Sequence, residues 1–206
     1  MKKIIFFLFL FVACGEPATL EVGDTQAITQ DEEKQIDEKE AEEELFGVIP
    51  SDDCQQVNLG DKACNIRLYD QNNEIWELYD HIGDVILIDF SAGWCGPCQA
   101  AAHYTQPLQD DYQTIGVQIV TILIDGPVGG IAPTEADIDD WVNYHNITSA
   151  PILMGSRDTI LDPAAINGYA ISGYPTYIYI DRNIRFYAGH TGYNDDFVRQ
   201  KINEAL

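Results

Sequence analysis

The sequence predicts an α/β fold, a sheet covered by helices with its chemistry at the carboxyl ends of strands, and three observations carry that expectation. Residues 84–90 and 117–124 are near-continuous apolar runs, as expected of strands buried on both faces. Segments with helical spacing alternate with these runs. A Cys-Gly-Pro-Cys sequence, residues 95–98, stands just beyond the first run, where a strand should give way to a helix.

The elements follow in order. Residues 65–69 and 74–78 read as short alternating strands joined by Asp70, Gln71, Asn72 and Asn73, a hairpin signal. After the first buried strand a helix is expected from Cys95 to about Tyr112, and after the second a helix capped by Thr134. On that helix Ile138, Trp141, Val142 and His145 are spaced to share one face. Residues 150–154, 176–181 and 184–188 read as further strands, the last two linked by a turn at Asp181, Arg182 and Asn183. Asn194 or Asp195 caps a final helix.

A chain of 206 residues has room for one ordinary domain plus appendages. Hydrophobic residues at 46% and aromatic residues at 11% suffice for a core. Eleven Lys and Arg against 34 Asp and Glu give a net charge of −23, which repels phosphate backbones, so nucleic-acid binding is not expected. The longest apolar run, residues 4–12, is far short of the roughly 20 residues of a membrane-spanning helix. It follows Met1, Lys2 and Lys3 and ends at Ala13, Cys14 and Gly15, the pattern of a secretory signal. Phe11, Val12, Ala13 and Cys14 resemble a bacterial lipobox, with Phe11 where Leu is usual, which implies lipidation of Cys14. Ordinary cleavage that leaves Cys14 unmodified is the alternative. From Glu16 to Asp53 there are 14 acidic residues, two Lys and one aromatic residue, too little apolar surface to offset ordering entropy. The expected organisation is a signal over residues 1–13, a lipidated acidic linker over 14–50, helical in part around 29–45, and a folded domain over 51–206.

Cys95 and Cys98, with two residues between them at a helix start, can close a small disulfide ring or open to a dithiol. The helix N-terminus stabilises a thiolate at Cys95, and Cys98 is placed to attack the mixed disulfide that Cys95 forms. Half of a zinc site is the rival reading, but no second ligand pair stands at matching spacing, so no metal is expected. His81, His103, His145 and His190 are scattered singly and read as surface or packing residues.

The block from Asp89 to Cys98, followed far downstream by Gly173, Tyr174, Pro175 and Thr176, resembles the thioredoxin family. The resemblance implies a central mixed sheet flanked by helices. It also implies that Pro175 is cis and lies beside the cysteines, and that Tyr174, Pro175 and Thr176, with Trp94, Gly96 and Pro97, meet an extended substrate segment. Asp89, six residues before Cys95, matches the buried acid that takes the proton of the second cysteine through water; a strand-end Asp capping a loop is the alternative. The N-terminal hairpin, the pattern Leu78, Asp80 and Gly83, and the inserted helix are similar to thiol reductases of the TlpA and ResA type. Departures lie at Ala101, where that type often has an acid, and at His103, where it has Pro. Ser91 and Thr121 stand where thioredoxins have Trp and Lys.

On this reading Cys54 and Cys64, outside the cytoplasm, most simply form a structural disulfide, worth on the order of 2–3 kcal/mol by loop entropy. A second redox pair relaying electrons to Cys95 is the alternative. The expected function is an exported, lipid-anchored thiol–disulfide oxidoreductase that reduces protein disulfides, needs no cofactor and draws electrons from a membrane thiol donor. A peroxiredoxin-like peroxidase and a non-catalytic binding module of the same fold are the competing readings. The first is weakened because only Ser91 stands near the usual Pro and Thr of a peroxidatic motif, the second by the intact cysteine pair.

Overall fold

The structure is a computed structural model that describes residues 47–49, 57–157 and 168–206. The signal, most of the acidic linker, Cys14 and Cys54 lie outside the described residues. Cys64 is fully buried and disulfide-bonded.

The described strands form two sheets. In the first, β1 (Gly47–Ile49), β2 (Asn65–Tyr69) and β3 (Ile75–Glu77) pair antiparallel in that order. The β2–β3 turn closes because the Asp70 carboxylate accepts hydrogen bonds from the Asn72 and Glu74 amides, while Asn73 takes a positive φ of 59°. The second sheet contains β4 (Val85–Ala92), β5 (Val117–Asp125), β6 (Ile152–Met154), β7 (Thr176–Ile180) and β8 (Phe186–Thr191), ordered β6-β5-β4-β7-β8. Strands β4, β5 and β6 run parallel, whereas β7 and β8 are antiparallel to their neighbours, giving the expected mixed sheet.

All eight residues of β4 are buried, because both faces are covered. Ile86, Ile88 and Phe90 join Ile66, Leu68 and Leu78 of the small-sheet side in one core cluster. Val85 and Leu87 face a second cluster with Leu108 and Tyr112 of α2 (Thr105–Tyr112) and Val198 and Ile202 of the last helix, α4 (Asp195–Ala205). Burying each such side chain contributes roughly 1.5–3 kcal/mol, so the strand that ends at the cysteines is firmly held.

Several boundaries differ from the sequence expectation. The single helix expected over residues 95–112 is two, α1 (Gly96–Ala102) and α2, parted at His103 and Tyr104. Pro107 explains the break: it has no N–H to donate, and its ring would clash with the His103 carbonyl four residues back in a continuous helix. The inserted helix, α3 (Glu135–His145), starts at Thr134 with a complete capping box to Asp137 and buries Ile138, Trp141 and His145 as expected. The last strand begins at Phe186 rather than Ile184. Asp181 accepts from the amides of Asn183 and Arg185 and so extends the turn through Ile184, which adopts φ 58° yet buries its side chain in the first core cluster. Strand β1 lies in the segment read as linker, where only three residues carry the pattern. Asn194 caps α4 through its side-chain oxygen and the Phe197 amide.

Candidate functional site

The site is built where β4 ends. Ala92 closes the strand, Gly93 and Trp94 turn the chain, and Cys95 is the N-cap of α1, with Pro97 in the first turn where its missing N–H costs nothing. Gly93 is required by close approach. A Cβ there would stand 2.8 Å from the Gly126 carbonyl carbon, in the loop that follows β5.

Cys95 and Cys98 are joined by a disulfide, with their Cα atoms 5.2 Å apart. The Cys98 amide donates to Cys95 Sγ at 3.2 Å, a contact that becomes charge-assisted when that sulfur is a thiolate. Cys98 is fully buried, while Cys95 is 4% exposed, less open than its helix-start position suggests but the more accessible of the two. Around it Trp94, Gly96 and Pro97 are exposed. Across from it, Cys95 Sγ lies 3.6 Å from the Tyr174 carbonyl oxygen, and the Tyr174–Pro175 peptide is cis. Thr176 holds the approach to this corner: its hydroxyl donates to the Gly173 carbonyl at 2.7 Å and lies 3.1 Å from that of Thr191. The structure therefore sets Trp94, Gly96 and Pro97 around Cys95 and brings Tyr174, Pro175 and Thr176 to the same corner, with Pro175 and Cys98 buried within it.

Asp89 lies on β4, opposite Thr121 of β5 and Tyr177 of β7. Its side chain is buried, which pushes its pKa up to about 7, against the opposing effect of the Ser91 hydroxyl that donates to Asp89 Oδ1 at 2.8 Å. The Thr121 hydroxyl is buried with no hydrogen-bond partner among the described residues. Among the described residues no cation pairs with Asp89, and Thr121 stands where thioredoxins place a lysine.

Two groups at the site were not singled out from the sequence. Asp125, at the end of β5, accepts from Trp94 Nε1 at 2.8 Å and is gripped by both ends of the Arg157 guanidinium. The Arg157 hydrogen bonds hold its carboxyl at about 2, well below the usual range. The Trp94 ring meets Tyr174 edge-on at 6.2 Å, so the ion pair sets the indole that flanks the cysteines. Burial, helped by the Asp125 charge, pushes the Tyr174 hydroxyl up to about 12. Asp125 had a signal in the sequence, a carboxylate ending an apolar run just as Asp89 sits within one. Arg157 had none.

The second group joins α1 to α3. Gln99 donates through Nε2 to the Gly93 carbonyl at 2.7 Å, which leaves its Oε1 facing His145 Nε2 at 2.9 Å. His145 therefore carries its hydrogen on Nε2, and its Nδ1 accepts from His103 Nδ1 at 3.4 Å. Burial first, and His103 second, hold His145 down at about 4, so it is neutral at ordinary pH. These two histidines, read singly from the sequence, form one cluster.

The AhpC/TSA family profile matches residues 59–186, more than half of the chain and all of the site. The chain belongs to the AhpC/TSA family. This AhpC/TSA member is 29% identical over 145 residues to "Thiol-disulfide oxidoreductase ResA" of Oceanobacillus iheyensis, covering 68% of this chain and 69% of that one. It is 26% identical to the ResA of Geobacillus thermodenitrificans, covering 62% and 66% respectively. Among solved structures it resembles a thioredoxin-family thiol:disulfide interchange protein of Chlorobium tepidum, with a TM-score of 0.58, 19% identity and coverage of 72% and 97%. It also resembles the exposed lipoprotein thioredoxin Etrx1 of Streptococcus pneumoniae, with a TM-score of 0.55, 23% identity and coverage of 68% and 98%. Those likenesses establish the thioredoxin-like fold, and the sequence relatives agree with the ResA-type resemblance.

Proposed function

We propose that this thiol–disulfide oxidoreductase works as a reductase of protein disulfides outside the cytoplasm. The observation that carries the reading is the closed Cys95–Cys98 ring at the start of α1, with Cys95 Sγ beside the Tyr174 carbonyl. In the reduced protein Cys95, as thiolate, attacks one sulfur of a substrate disulfide. That bond breaks, a mixed disulfide forms on Cys95, and the released substrate sulfur takes a proton. Cys98 gives its proton to Asp89, through water, and attacks Cys95 Sγ. The second substrate thiol leaves, and two electrons have passed from the cysteine pair to the substrate. An acid with a pKa near 7 can take and return a proton at neutral pH, which suits Asp89 to this role.

Trp94, Gly96, Pro97, Tyr174, Pro175 and Thr176 form the substrate surface in this proposal. The Gly-Pro dipeptide adds no charge or imidazole to the loop, so the thiolate is only mildly stabilised and the pair favours reduction. The export signal and lipidated Cys14 place the domain on a membrane surface, where a membrane thiol donor re-reduces it, and Cys54 with Cys64 is a structural disulfide. Among the described residues no helix is long and apolar enough to cross a membrane.

An insulin-reduction assay with dithiothreitol as electron source tests the activity. The unaltered protein should accelerate precipitation of the insulin B chain, and Cys95→Ser should abolish that acceleration. Rapid peroxide consumption without insulin reduction would instead favour the peroxidase reading.

A further inference from the structure

A cleft of about 580 Å³ opens between the active-site turn and α3, a size typical of ligand pockets. Gly93 and Gln99 form one wall, Pro127 another, and Trp141 and Tyr144 of α3 a third. Its lining includes neither Tyr174 nor Pro175, so it is separate from the surface on which the cis proline presents backbone.

The charged residues that line the cleft are two carboxylates, Asp137 and Asp140. Helix α3 carries Glu135, Asp137, Asp139 and Asp140 and no Lys or Arg. Asp137 is engaged in capping the helix, accepting from the Thr134 amide and hydroxyl. Asp140 is exposed at the lining and has no ion pair among the described residues. Tyr144 is 69% exposed and Trp141 only 4%, so the wall offers one open aromatic ring above a buried one. Aromatic walls with a free carboxylate at the rim match a long aliphatic stem that ends in a cation.

Position relates the cleft to the chemistry. Gly93 stands two residues before Cys95, and an extended segment advances at most about 3.3–3.6 Å per residue. A substrate bonded through its cysteine to Cys95 can therefore lay a side chain two or three residues away into the cleft. We propose that this cleft binds a Lys or Arg side chain two or three residues from the reacting cysteine of a polypeptide substrate. The inference rests on the disulfide-reductase reading and names the substrate class that the reductase selects.

The test uses the full chain and two disulfide-bridged peptides, alike except for Lys or Glu two and three residues from the cysteine. The quantity read is the ratio of kcat/KM for the Lys peptide to that for the Glu peptide. In the unaltered protein it should exceed one. Asp140→Lys should lower it about tenfold, chiefly through KM, and Tyr144→Ala should lower it less. Asp196→Lys, an equal charge change on α4 outside the cleft lining, should leave it unaltered. An equal fall with Asp196→Lys would assign the preference to net charge, and no fall with Asp140→Lys would remove the cleft from recognition; either overturns the inference. Equal reduction of both peptides by the unaltered protein overturns the inference alone. Reduction of neither overturns the reductase reading as well.

Discussion

Asp89 carries the clearest physical signature of function, a carboxyl held inside an apolar strand with no cation beside it among the described residues. Its pKa is about 7 in the folded protein against 3.8 for an unperturbed aspartate. Between those values the unfolded chain has released the proton and the folded chain has not. Stability therefore falls as pH rises from about 4 to about 7, levels off above that, and the cost reaches up to about 4 kcal/mol. Asp89→Asn removes the titration while keeping an oxygen that can accept from Ser91. The variant should gain most of that stability at pH 8 and little at pH 4, measured by urea unfolding at both, while its disulfide exchange slows. A gain equal at both pH values would show that another group titrates. Asp89 and the cysteine pair were legible in the sequence because each interrupts a pattern. The Asp125–Arg157 pair and the His103–His145 pair were not, since their partners lie 32 and 42 residues apart and only the fold brings them together.

Between elements, the site depends on how closely the active-site turn approaches the loop after β5. A Cβ at Gly93 would meet Gly126 and Pro127 backbone atoms within 3.1 Å, and backbone cannot swing aside as a flexible side chain does. Gly93→Ala should cost about 1–3 kcal/mol by overpacking and should also lower kcat, because the displaced turn carries the Gly93 carbonyl that Gln99 holds. Thermal unfolding and insulin reduction would check the two effects. Wild-type values for both would show that the contact does not constrain the turn. Element order was readable from alternating patterns, and the capping signals at Thr134 and Asn194 located two helix starts. Pro107 is the sequence signal for the break before α2, since a continuous helix over residues 95–112 would hold it in its interior. Ile184 was misplaced because a β-branched residue at positive φ runs against local preference, and burial of its side chain overrides that preference.

For the whole molecule, a net charge of −23 over the full chain favours encounter with cationic partners and depends on ionic strength. The proposed lipid anchor would confine those encounters to a membrane surface. Cys14→Ser should therefore release the protein from the membrane fraction into the soluble exported fraction; unchanged membrane association would contradict the anchor. The central claim, that Cys95 attacks and Cys98 resolves, is tested most directly by mass spectrometry of the adducts formed with a disulfide peptide. Cys98→Ala should accumulate a stable mixed disulfide on Cys95, and Cys95→Ala should form none at a comparable rate. A stable adduct on Cys98 in the Cys95→Ala variant, formed as fast as that on Cys95, would contradict the account.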